Sequence, residues 1–112
     1  MIKSVQNNAR ALVVGALMLA GTVLSSAQAE EISYNHASML AGSCFNCHGT
    51  DGRYGEDSIP SIAGQPAGVL LAQLIAFKRD ETPNTTVMNR IAKGYTEAEL
   101  EALANYFASI RD

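Results

Sequence analysis

The 112-residue chain has no tryptophan, two cysteines and eight basic residues, against eleven acidic ones. The net charge of −3 predicts an acidic surface that repels phosphate backbones, which argues against nucleic-acid binding. Two cysteines and two histidines, at the spacings found here, are a poor match to zinc-site patterns, which need four ligands. The length supports one domain at most, so multidomain enzymes are excluded.

Charge is absent altogether between Arg10 and Glu30. That interval holds an apolar run, ALVVGALMLAGTVL, and a small-residue A-Q-A signal that ends at Ala29. The run is shorter than the roughly 20 apolar residues of a membrane-spanning helix, and its flanks are typical of a secretory signal peptide. We therefore expect a signal peptide at residues 1–29, cleaved after Ala29. Residues 30–112 then form one periplasmic domain without an integral membrane anchor; the alternative is an uncleaved anchor.

Alternating patterns typical of strands are also missing, and the chain has no internal repeat. Three stretches have helical periodicity instead. Residues 37–44 place apolar side chains on one helical face, and residues 66–77 form an apolar stripe behind a proline that suits a first helical turn. A T-x-x-E capping box at residues 96–99 precedes a last helix. The stretch 82–92 is polar and predicts a loop with one helical turn, so the domain is expected to be all-α.

Residues 44–48 read C-F-N-C-H, which is the C-x-x-C-H attachment signature of a covalently bound haem. On a helical turn Cys44 and Cys47 lie on one face, so both sulfurs can reach the two vinyl groups of one porphyrin. His48 can then direct its imidazole at the iron as the proximal axial ligand. A haem also supplies apolar bulk that so short a domain lacks. We expect one covalently bound haem c.

Two other interpretations of the cysteine pair compete with haem attachment. A thiol redox motif normally opens a helix beneath a βαβ sheet, and no strands are predicted here. A local disulfide between Cys44 and Cys47 suits an oxidising compartment but leaves the adjacent His48 unexplained.

The distal side of the iron needs a ligand of its own, or stays open. Met39 lies too close to the haem motif to wrap round to that side, whereas Met88 follows it at a distance sufficient to pass around the haem edge. Met88 as ordinary core filler is the competing interpretation, but its segment is too polar for a core. His36 is the rival ligand; it lies upstream on the predicted first helix, and we expect it at the surface or partly buried.

The order of these motifs resembles class I cytochromes c, and most of all bacterial diheme cytochromes c and the small haem subunit of flavocytochrome c sulfide dehydrogenase. The resemblance rests on the haem motif, on I-P-S-I-A-G-Q at residues 59–65, on A-F-K at 76–78 and on T-V-M at 86–88. M-N-R-I-A-K-G-Y at residues 88–95 favours the flavocytochrome subunit.

The resemblance implies a class I cytochrome c fold, with three main helices around the haem and the first and last helices crossing. That crossing would place Leu40 against Leu103 and Tyr106, and Phe107 toward the haem. It also implies that the Pro60 carbonyl accepts a hydrogen bond from the proximal histidine.

The expected function is transfer of single electrons through a haem ligated by His48 and Met88, without catalysis by the chain itself. The resemblance implies a redox partner, a flavin-containing sulfide dehydrogenase subunit. A free-standing carrier between respiratory or photosynthetic complexes is the alternative, followed by a haem enzyme or sensor with an open sixth position. Arg90 and Lys93 form either a docking rim or ordinary solvated charges.

Overall fold

The computed structural model describes residues 30–56 and 58–111, so the signal peptide predicted for residues 1–29 lies outside the described part. The described residues contain helices and no strand beyond an isolated bridge, and the predicted all-α fold is confirmed. Within the same residues no helix has the length and apolar character needed to cross a membrane. The elements, in chain order, are α1 (Tyr34–Ala41), α2 (Phe45–His48), a 3₁₀ turn (Thr50–Gly52), α3 (Ala67–Lys78), α4 (Met88–Ala92) and α5 (Glu97–Ser109).

The first helix is shorter than the apolar pattern predicts. α1 is capped by the Ser33 hydroxyl, ends at Ala41 and is followed by a turn at residues 42–44. In that turn each N–H bonds to the carbonyl three residues back, which tightens the chain where Gly42 weakens helix propensity. Cys44 therefore precedes α2 instead of ending α1, although it still packs against the core.

α5 is the central element of the domain, because α1 and α3 both pack against it. The predicted capping box is present: Thr96 accepts from the Glu99 N–H, and the Glu99 carboxylate accepts from the Thr96 N–H. The packing of α1 against α5 agrees with the expected crossing. The buried core is formed by Ala37, Ala41, Leu70, Leu100, Leu103, Ala104, Tyr106 and Phe107.

α3 packs against α5 and carries α4 on its surface. α3 begins directly after Pro66 and buries only Leu70; its leucine, isoleucine and phenylalanine side chains beyond Leu70 are half-buried, and Val69 is exposed. α4 falls within the stretch where one helical turn was predicted, and it packs against α3. α4 thereby connects the C-terminal part of the polar stretch 82–92 to the core through α3.

The 3₁₀ turn after α2 packs its backbone closely against the core at Gly52. Gly52 has a φ of +74°, and a Cβ there would lie 2.6 Å from Ile62 Cγ1 and 2.9 Å from Phe107 Cδ1. Only glycine combines this backbone conformation with that contact.

We expect Gly52→Ala to lower the free energy of unfolding by about 2–4 kcal/mol. Alanine is strained in a left-handed conformation, and its Cβ overpacks the contact with Ile62 and Phe107, so the two costs add. Gly68→Ala is the matched control, because a Cβ at this position in α3 meets no atom within 4 Å. It should stabilise the protein by about 0.5–1 kcal/mol through helix propensity. Urea unfolding of the haem-loaded variants measures both values, and equal stability of the two would contradict the close packing.

Candidate haem-binding site

His48 ends α2 and is the one buried polar residue of the described chain, with 8% of its surface exposed. Its Nδ1 lies 2.6 Å from the Pro60 carbonyl oxygen. A carbonyl can only accept, so Nδ1 carries the proton and donates it. In the neutral tautomer with this proton, the lone pair is on Nε2, which is the nitrogen that can bind a metal.

The loop that brings Pro60 to His48 is held by the carbonyl oxygen of Gly52. That oxygen accepts from the N–H groups of Ile62 and Ala63, at 2.9 and 3.0 Å, and from the Ser61 hydroxyl at 2.9 Å. All three residues that follow Pro60 in this loop are therefore tied to the turn after the haem motif. The histidine ring is oriented by backbone that is itself fixed.

Cys44 and Cys47 are not joined by a disulfide and lie on the short segment around α2. Burial raises the pKa of the Cys44 thiol, an effect that the hydrogen bond with Ser43 opposes. A raised pKa disfavours the thiolate, which is opposite to the tuning of a thiol redox motif. Within residues 30–56 and 58–111, no group of three or more His, Cys, Asp or Glu side chains is arranged to hold a metal.

The surroundings of the motif fit a porphyrin. Phe45, inside the motif, packs edge-on against Phe107 with ring centroids 6.3 Å apart. Leu71, Leu74 and Ile75 of α3 are half-buried and pack against the same core cluster as Phe45. Two thiols, an imidazole with a directed lone pair and this apolar wall are the groups that a covalent haem needs.

The other predicted site residues lie on separate elements. Met88 is half-buried and is the first residue of α4. Met39 is 79% exposed on α1, and His36 is exposed in the first turn of the same helix. The structure thus brings His48 and Pro60 into contact, keeps the cysteines beside them, and places Met88 on a segment that reaches the core through α3.

Sequence reasoning missed Asp80, which anchors this segment. Asp80 follows α3 with a φ of +56°, and its carboxylate accepts from Asn89 Nδ2 at 3.1 Å and from Lys93 Nζ. Asn89 lies within α4, and Lys93 directly follows it. A lone aspartate after a basic pair gives no signal of this role, because its partners lie far along the chain and depend on the fold.

The model of the cytochrome c family matches residues 37–111, which is more than half of the chain. The chain belongs to the cytochrome c family. It is 39% identical over 79 residues to the cytochrome subunit of sulfide dehydrogenase from Chlorobaculum tepidum, with 70% of each chain covered. It is 40% identical over 67 residues to cytochrome c-552 from Acidithiobacillus ferridurans, and 40% identical over 70 residues to a thiosulfate dehydrogenase electron acceptor from Stutzerimonas stutzeri.

Membership of the family confirms that the cofactor of this cytochrome is a covalently bound haem c. Family membership and the names of the relatives also support the prediction that the chain is an electron-transfer protein and not an enzyme. The last two matches cover 60% of this chain but only 28% and 32% of the relatives, because those relatives are far longer.

The anchor at Asp80 predicts a pH dependence of stability. The pKa of this carboxyl is lowered from its ordinary 3.8, first by the hydrogen bond from Lys93 and then by that from Asn89. Ionised Asp80 therefore stabilises the folded state above about pH 4, and this contribution is lost as the pH falls through the lower folded-state pKa.

We expect Asp80→Asn to be less stable than the wild type at neutral pH, and the difference to shrink below about pH 4. Urea unfolding in a pH series measures this difference. Glu81→Gln removes the neighbouring carboxylate as a control for net charge. A difference between Asp80→Asn and wild type that stays constant with pH would show that the carboxylate does not act through its ionised form.

Proposed function

We propose that this cytochrome carries single electrons through a haem bound by thioethers to Cys44 and Cys47, with His48 and Met88 as axial ligands. The hydrogen bond between His48 Nδ1 and the Pro60 carbonyl supports this proposal most directly, because it orients the ring and keeps its proton on Nδ1, away from the Nε2 that would bind iron. The haem supplies reversible one-electron chemistry at iron.

The two axial residues have different roles. The Pro60 carbonyl raises the basicity of the His48 imidazole, which strengthens its bond to a metal. Methionine paired with histidine raises the reduction potential. With both axial positions filled no site remains for a substrate, which is consistent with electron transfer.

Residues 1–29 are proposed to be the signal peptide that delivers residues 30–112 to the periplasm. The support is the uncharged apolar run with its basic start and the small-residue site ending at Ala29. The N-terminal residue of the mature protein, measured by mass spectrometry, should be Glu30.

Replacement of Met88 tests the distal ligand. We expect Met88→Ala to abolish the weak band near the red end of the oxidised spectrum that reports an iron–methionine bond. The reduction potential should fall, and the reduced protein should bind carbon monoxide, because the sixth position opens.

Met39→Ala is the matched control, since Met39 is 79% exposed. Its spectrum and potential should equal those of the wild type. An unchanged band in Met88→Ala would overturn the assignment and return His36 as the candidate.

The proposed partner is a flavoprotein that oxidises sulfide. The relative of similar length is named a cytochrome subunit of sulfide dehydrogenase, and two longer relatives are named thiosulfate dehydrogenase electron acceptors. A flavin that receives two electrons can pass them one at a time to a haem. Such a pair of proteins therefore converts two-electron oxidation into one-electron transfer. A free-standing carrier is the alternative.

A surface suited to such contact surrounds Met88. Val87 and Ile91 are 55% and 40% exposed, beside Arg90. Lys93 is paired with Asp80, so its charge is partly neutralised within the cytochrome itself. Apolar residues ringed by charge favour transient docking of a redox protein.

An experiment in which the cytochrome is mixed with a sulfide-oxidising flavoprotein distinguishes a flavoprotein subunit from a free-standing carrier. If the flavoprotein of the same organism is the partner, sulfide should reduce the cytochrome rapidly in its presence and slowly in its absence, as followed by the visible spectrum. The two proteins should also co-elute. No binding and no acceleration would show that the cytochrome is a free-standing carrier.

A further inference from the structure

The helix that carries Met88 cannot hold its own position. α4 has five residues, its N-cap residue Val87 makes no side-chain capping hydrogen bond, and isolated helices of this length are unstable. Its location therefore depends on its packing against α3 and on contacts made by side chains within and beside it. Asp80 supplies one such contact.

A second contact lies beyond the C-terminal end of α4. The Tyr95 hydroxyl is 2.7 Å from the Ser43 hydroxyl, although the two residues are 52 positions apart. Ser43 Oγ also lies 3.0 Å from the Leu40 carbonyl, to which it can only donate. Since a serine hydroxyl has one proton, Ser43 accepts in the other bond and Tyr95 is the donor.

The backbone of Tyr95 is fixed on both sides. Lys78 Nζ, at the end of α3, donates to the Tyr95 carbonyl oxygen. The next residue, Thr96, is locked by the capping box that starts α5. The Tyr95 side chain therefore extends from a fixed backbone position. Its hydrogen bond to Ser43 holds the two chain segments at a defined separation.

The acceptor lies at the haem attachment segment. Ser43 directly precedes Cys44 in the turn between α1 and α2, and its Oγ is 4.0 Å from Cys44 Sγ. The bond thus joins the segment that follows Met88 to the segment that begins the haem motif. It closes a loop of the chain that contains both proposed axial ligands.

We propose that Tyr95 and Ser43 are positioning residues for the distal ligand. Their hydrogen bond holds the α4 segment against the haem attachment turn and so keeps Met88 on the iron. The proposal rests on the proposed ligation by Met88. A network that merely stabilised the fold would lower the unfolding midpoint without changing access to the iron in the folded protein.

The test measures that access with imidazole, which competes with methionine for ferric iron. The haem-loaded full chain is titrated and the dissociation constant is read from the visible spectrum. We expect Tyr95→Phe and Ser43→Ala each to bind imidazole about two- to tenfold more tightly than the wild type, the factor that one neutral hydrogen bond provides. The double variant should gain no more than either single one, because both remove the same bond.

Two further variants serve as controls. Ser43→Thr keeps the hydroxyl and should bind imidazole as the wild type does. Tyr106→Phe also removes a tyrosine hydroxyl from a long-range bond, here to Asp51, but that bond joins α5 to the 3₁₀ turn after His48. It should lower stability without tightening imidazole binding.

Met88→Ala distinguishes failure of this proposal from failure of the ligand assignment. If Met88→Ala binds imidazole more tightly than the wild type while Tyr95→Phe and Ser43→Ala do not, Met88 is the ligand and the positioning role is wrong. If Met88→Ala equals the wild type, Met88 is not the ligand and both proposals fall. Equal tightening by Tyr95→Phe and Tyr106→Phe would show a general loss of stability and would also overturn the positioning role.

Discussion

The hydrogen bond from His48 to the Pro60 carbonyl constrains the rest of the site. It assigns the ring proton to Nδ1 and so leaves Nε2 as the nitrogen that can bind iron. The bond forms only because the chain after the haem motif folds back, which requires the left-handed Gly52 and the three hydrogen bonds to its carbonyl oxygen. Phe107 of α5 lies directly against Gly52, so the packing of the last helix supports the orientation of the first ligand. The orientation of His48 and the packing of the core therefore depend on the same contact between Gly52 and Phe107.

Features that depend on neighbouring residues were predictable from the sequence. The capping box at Thr96 and Glu99 is such a feature, because both partners lie within one turn and their chemistry fixes the start of α5. The haem motif at residues 44–48 is another, since its five positions suffice to bring two thiols and an imidazole together. The apolar stripes also identified the buried faces correctly, because burial follows helical periodicity.

Features that depend on distant partners were not predictable from the sequence alone. The turn at residues 42–44 interrupts a continuous apolar face, because periodicity reports which side is buried and not whether the backbone bonds have tightened. The hydrogen bond between Tyr95 and Ser43 has no local signature at either residue. The role of Pro60 could be expected only from resemblance, since nothing in its immediate sequence indicates that its carbonyl faces a histidine.

The two proposed ligands are held by different kinds of interaction. His48 is nearly buried and bonds to a loop fixed by backbone hydrogen bonds, which salt and mild acid affect little. The Met88 segment depends on side chains, among them the ion pair of Asp80 and Lys93, which are 52% and 48% exposed. Exposed pairs are individually weak and are screened by salt. The proximal side therefore behaves as part of the core. The position of the proposed distal ligand depends on exposed side-chain contacts, which salt and low pH weaken.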